Sequence, residues 1–61
     1  VNRIKQIRKK QKLRQVELAE MAGIDQSDLS KIENDKKSLT LDTAKKIARV
    51  LGYSVEYIWP D

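Results

Sequence analysis

The 61 residues contain no cysteine and no histidine. Those absences exclude disulfides, zinc-finger ligand sets, thiol nucleophiles and the commonest general base. A reducing, cytoplasmic setting is the matching expectation. Proline occurs only at Pro60, and glycine only at Gly23 and Gly52, so there is no glycine loop to cradle phosphate and no flexible linker. No apolar run approaches the roughly 20 residues of a membrane span. The charged N-terminus is followed by no apolar stretch, which reads as no secretory leader. β-Branched and aromatic residues never alternate over a strand-length window, so no sheet is expected. With its acids scattered over helix faces, the chain is not expected to be an enzyme, and neither cofactor nor metal is implied.

What is there is charge and helical spacing. The net charge is +4, but it is unevenly placed. Residues 1–14 hold seven basic side chains and no acid, whereas residues 15–61 hold six basic and nine acidic ones. A one-sided basic segment points to an anionic partner, most often nucleic acid.

Apolar residues three and four apart mark five helices. Ile4 and Ile7 place the first at about 2–11 and Leu18 and Ala22 the second at about 15–22. Leu29 and Ile32 place the third at about 26–33. Leu41, Ala44, Ile47, Ala48 and Leu51 mark a fourth. Val55 and Ile58 mark a short fifth. Asp25, Thr40 and Ser54 are the expected N-caps of the last three, and Arg14 is a poor cap for the second. Gly23 and Gly52 are expected to end helices with a positive φ. Length and pattern together predict one all-α domain over residues 1–61, a compact five-helix arrangement.

Residues 15–34, QVELAEMAGIDQSDLSKIEN, read as two short helices around a glycine-containing turn, which is the helix-turn-helix pattern. Ala19 suits a close crossing of the two helices. On a helical wheel starting at Gln26, Ser30, Ser27 and Lys31 fall within an arc of about 140°, with Leu29 and Ile32 opposite. One arc is thus polar while the other is buried. Glutamine, serine and lysine can all pair with base edges in the DNA major groove. Gln26, Ser27, Ser30 and Lys31 are therefore the candidate base readers.

With those residues in view, the chain resembles the phage repressor and Cro family of helix-turn-helix proteins, also called XRE-like, with a lambda-repressor-like domain. The resemblance is carried by IRKKQKL (7–13), RQVELAEMAGIDQSDLSKIEN (14–34) and LTLDTAKKIARVLGYSVEYI (39–58). It implies base reading by Gln26, Ser27 and Lys31. It implies phosphate contacts from Gln15, Asn34 and Lys36, to which Arg14 and Lys37 add cationic grip. It also implies a partly buried ion pair between Arg8 and Glu33. The sequence departs from the family at Asp35, where glycine is usual, at Leu39, where proline is frequent, and at Arg14, where a small or polar residue is usual. Residues 25–37 hold four acids against three lysines, so a weakly binding monomer is expected. The implied partner is double-stranded DNA, bound by a homodimer on a near-palindromic operator. The implied role is a transcriptional regulator, most often a repressor. The alternative is an antitoxin or adaptor-type protein-binding module on the same fold.

Overall fold

The amphipathic spacing folds into five helices: α1 (Ile4–Lys10), α2 (Gln15–Ala22), α3 (Gln26–Glu33), α4 (Leu41–Leu51) and α5 (Val55–Ile58). The computed structural model describes residues 2–60. Among the described residues there is no strand. The chain thus has the all-α class expected of it.

Each start has a local cause. Thr40 Oγ1 accepts the Thr43 amide at 3.2 Å, and Ser54 Oγ accepts the Tyr57 amide at 3.1 Å, so two of the expected caps form. Asn2 Oδ1 accepts the Ile4 amide at 3.1 Å and starts α1, two residues later than the apolar spacing indicates. Asp25 makes no capping bond. Its carboxylate instead accepts the Ser27 hydroxyl, a nearby donor that competes with the helix amides. At α2, Arg14 has no acceptor to offer. The carboxylate of Glu17 reaches back and accepts the Arg14 amide at 2.7 Å, so the third residue of the helix secures its own start.

The ends of α1, α2, α3 and α4 share one geometry. An amide bonds the carbonyl five residues back in Leu13→Arg8 (2.9 Å), Ile24→Ala19 (2.9 Å), Lys36→Lys31 (2.8 Å) and Tyr53→Ala48 (3.3 Å). This closure needs a left-handed residue just before the donor. Those residues are Lys12 (φ 59°), Gly23 (72°), Asp35 (57°) and Gly52 (81°). Glycine adopts that conformation freely, while an L side chain gives up about 1–2 kcal/mol. Lys12 is exposed, so a Lys12→Gly protein is expected to be more stable by about 0.5–1 kcal/mol, after glycine's greater unfolded-state entropy is subtracted. Urea denaturation measures the difference.

The core is evenly drawn. Ile4, Leu18, Leu29, Ile47 and Ile58 are fully buried, one from each helix. Ala19, Ala22, Ala44 and Ala48 are buried around them, and their small side chains let the helices approach. Leu41 is the exception to the α4 pattern, at 63% exposed. It opens the helix and lies about 70° from the centre of the stripe formed by Ala44, Ile47, Ala48 and Leu51. Trp59 and Tyr53 pack against the core from its edge.

Both ends of the chain are tied together. The Arg3 amide bonds the Ile58 carbonyl at 2.9 Å, and Gln11 Nε2 bonds the Leu51 carbonyl at 2.7 Å. The Arg3 guanidinium lies 4.5 Å over the Tyr57 ring, which stacks on Tyr53 at 4.9 Å. These contacts hold α1 against α4 and α5, so α2 and α3 stand on a closed base.

Candidate nucleic-acid interface

The interface is built from α2, a three-residue turn and α3. Gly23 ends α2 in the left-handed conformation, Ile24 tucks partly into the core, and Asp25 leads into α3. Ala19 is buried. Leu29 and Ile32 bury one face of α3, which leaves the other outward.

That outward face carries the four residues singled out by the wheel. Gln26, Ser27 and Lys31 are exposed, and Ser30 is half-buried. Ser27 spends its hydroxyl proton on Asp25 and keeps its lone pairs. Lys31 has no carboxylate within ion-pair distance among the described residues. The structure brings these side chains to one accessible surface of a rigid element.

The residues around that face differ in how free they are. Arg14 is exposed beside the start of α2, 3.5 Å from Glu17. Lys36 is exposed just beyond α3. Lys37 lies 2.9 Å from Asp28, so any phosphate contact by Lys37 exchanges one anion for another. Asn34 donates to the Ser30 carbonyl at 2.8 Å and thereby closes the end of α3.

Beneath the surface lies a buried ion pair. Arg8 Nε donates to Glu33 Oε2 at 2.8 Å, and Arg8 Nη2 to Glu33 Oε1 at 3.2 Å. A third bond runs from Arg8 Nη1 to the Leu13 carbonyl at 3.1 Å. The side chains are 11% and 2% exposed. A buried carboxylate needs such a partner, and the planar guanidinium meets both oxygens at once. Gln15 is half-buried next to this pair. Its Nε2 donates to Glu33 Oε1 at 3.2 Å, and its Oε1 accepts from Gln26 Nε2 at 3.4 Å.

Of the four acids of residues 25–37, Asp28 meets Lys37 and Glu33 meets Arg8. Asp25 accepts from Ser27 and Asp35 from Asn2 Nδ2 at 3.0 Å, both neutral donors. Ion pairing weakens the repulsion that Asp28 and Glu33 exert on an anion approaching α3. Asn2 escaped the sequence reading, although it also donates to the Ile32 carbonyl at 3.0 Å. Nothing in a linear pattern links it to residues thirty positions away.

The start of α2 also perturbs a carboxyl group. The backbone amide of Arg14 holds the Glu17 carboxyl below its ordinary value of 4.5. A lowered folded-state value stabilises the fold at higher pH, and the contribution is lost as pH falls through it. A Glu17→Gln protein is therefore expected to lose less stability on acidification through that window than the parent, as read by thermal melting at stepped pH.

The fold and this surface define an all-α protein in which α3 of a helix-turn-helix exposes a hydrogen-bonding face. A family model described as helix-turn-helix matches residues 4–58. The chain belongs to this helix-turn-helix family of DNA-binding transcriptional regulators, of the XRE kind. It is 46% identical over 56 residues to the immunity repressor protein of Bacillus phage phi105, covering 92% of this chain and 39% of that protein. It is 40% identical over 53 residues to the HTH-type transcriptional regulator PuuR of Escherichia coli (strain K12), covering 87% of this chain and 29% of the regulator. Both relatives are regulators rather than enzymes. The chain thus spans well under half the length of either. A SinR protein/SinI protein complex superimposes with a TM-score of 0.83 at 40% identity, over 88% of this chain and 53% of the other. Among the described residues no helix is long and apolar enough to cross a membrane.

Proposed function

We infer that the chain acts as one DNA-binding domain, a cytoplasmic repressor module that seats α3 in the major groove of a specific operator. Gln26, Ser27, Ser30 and Lys31 read base edges, and Arg14, Gln15, Asn34, Lys36 and Lys37 hold the phosphates on either side. The observation that carries this reading is the outward face of α3, a row of hydrogen-bonding side chains on a helix fixed by Leu29 and Ile32. A helix fits the major groove, and these side-chain types match its edge pattern. Lysines at the flank supply modest phosphate neutralisation, so tight binding calls for two copies on a near-palindromic site.

In vitro selection of duplex DNA by the 61-residue chain tests the proposal. The expected result is an enriched motif of two inverted half-sites about one helical turn apart, bound with a steep salt dependence. Recovery of random sequence overturns the specificity, and an unpaired half-site overturns the dimer.

A protein-binding role on the same fold is the second reading, and the SinR protein/SinI protein complex favours it, since that structural relative is itself seen with a second protein. Binding to duplex DNA that is absent at low salt would select an adaptor or antitoxin role instead.

A further inference from the structure

The basic segment that opens the chain has cations that the α2–α3 surface does not use. Arg8 bonds Glu33, Arg14 lies beside Glu17, and Arg3 lies over the Tyr57 ring. Lys5, Lys9, Lys10 and Lys12 are exposed. Among the described residues none of them has a carboxylate within ion-pair distance. On an α1 wheel with Arg8 at zero, Lys5, Lys9 and Lys10 fall at roughly 60°, 100° and 200°. Lys5 and Lys9 thus stand one turn apart on the flank that Arg8 turns toward Glu33 and α3, and Lys10 stands on another. Lys12 continues the row, since its amide bonds the Lys9 carbonyl at 3.0 Å. The chain then runs on to Arg14, which opens α2.

This row destabilises the free domain. Lys5 stands in the first turn of α1, where a cation opposes the helix dipole. A like charge one turn away adds repulsion. On α4, by contrast, Lys46 meets Asp42 at 3.5 Å. Residues 1–14 offer no acid to do the same. A polyanion laid along the row relieves the repulsion.

We propose that Lys5, Lys9 and Lys12 form a cationic rail, continuous with Arg14, that takes phosphates of duplex DNA outside the bases read by α3. The inference rests on the proposed reading of DNA by α3 and widens its footprint. Two observations favour duplex DNA as the occupant. The rail joins the edge of the reading surface at Arg14. It also lacks an apolar seat for a protein or a lipid surface, because the exposed large apolar side chains, Met21, Leu41 and Tyr57, all lie off α1. Phosphate neutralisation by the rail is independent of sequence, so it adds grip without altering base choice.

The test measures Kd over a range of salt concentrations on two duplexes. One is the selected operator trimmed to its preferred bases, and the other carries about one further helical turn of random sequence at each end. Three proteins are compared. The rail variant combines Lys5→Gln, Lys9→Gln and Lys12→Gln. A charge-matched control combines Lys10→Gln, Lys45→Gln and Arg49→Gln, which are exposed cations on other faces. The parent is expected to bind the longer duplex more tightly and with a steeper salt dependence. The rail variant is expected to lose that gain, with a salt slope lower by about two to three per protomer. Its base preferences at the Gln26 and Lys31 positions are expected to stay intact, and the control is expected to keep the gain. The rail variant is also expected to melt no lower than the parent at low salt, because it sheds the Lys5–Lys9 repulsion.

A rail variant that keeps the parent's gain and slope overturns the rail and leaves the reading by α3 standing. Equal losses in the rail variant and the control reduce the effect to net charge and overturn it too. Rail-dependent binding to anionic phospholipid vesicles, with no gain on the longer duplex, overturns the choice of DNA. A parent that binds no duplex at low salt overturns both the rail and the reading by α3.

Discussion

An Arg8→Ala protein is expected to lose about 3–5 kcal/mol of stability, the scale for one partner removed from a buried pair. In a domain of this size that corresponds to a fall in Tm of roughly 25–40 °C. The structure gives the reason in three bonds. The guanidinium satisfies both oxygens of Glu33 and the Leu13 carbonyl, and the Glu33 side chain is 2% exposed. Truncation leaves that carboxylate without its cation in a site water barely reaches. It also frees the closure of α1, because Leu13 is the residue whose amide completes that end. Arg8→Lys keeps the charge but cannot span two oxygens, so an intermediate loss is expected. Thermal melting followed by circular dichroism reads all three proteins. A Tm for Arg8→Ala within a few degrees of the parent would remove the pair from any structural role. DNA binding is expected to fall with folding, since Glu33 also holds Gln15.

The parts of the fold legible in the sequence are those governed by local rules. Helix α2, helix α3 and the turn between them follow from spacing and from Gly23, and the extents of α2, α3, α4 and α5 match the apolar periods. Thr40 and Ser54 cap as their chemistry predicts. What the sequence hid depends on choices between partners or on distant contacts. Asp25 had two nearby donors to serve and took the Ser27 hydroxyl. Arg14 looked like a poor cap, yet the helix start is secured by Glu17, three residues ahead of it. Lys12 and Asp35 do the work of glycine at two helix ends with no glycine present to mark them. Asp35, where the resemblance marks a usual glycine, takes a positive φ of 57°, because aspartate is among the side chains that tolerate it.

The candidate site shows the same division. The outward set at Gln26, Ser27 and Lys31 was visible on a wheel, because burial of Leu29 and Ile32 fixes the rotation of α3. The line from Glu33 through Gln15 to Gln26 was not. It depends on how α2 crosses α3, and no periodicity encodes that crossing. The acid count near α3 was readable, but its meaning was not, because Asp28 and Glu33 carry their own cations.

Gln26→Ala and Lys31→Ala are each expected to weaken binding to the selected operator by about 1–3 kcal/mol, or roughly 5- to 150-fold in Kd. In each case the loss of base preference is expected to be confined to one base pair. Both side chains are exposed on α3, so truncation leaves the core intact and the Tm near that of the parent. The two differ in what else they lose. Lys31 carries a full charge, so its removal also weakens binding to random duplex, within what a single screened cation contributes. Gln26 is neutral, so its removal is expected to leave random-duplex affinity unchanged and to act on specificity alone. Lys36→Ala supplies the contrast: an exposed cation beyond the end of α3, it is expected to lower affinity for every sequence alike and to reduce the salt slope by about one. Fluorescence-anisotropy titrations of the three proteins, on the operator and on random duplex at two salt concentrations, separate these patterns. Equal losses on both duplexes for Gln26→Ala would move that residue from reading bases to holding the backbone, and would leave Lys31 as the principal reader on α3.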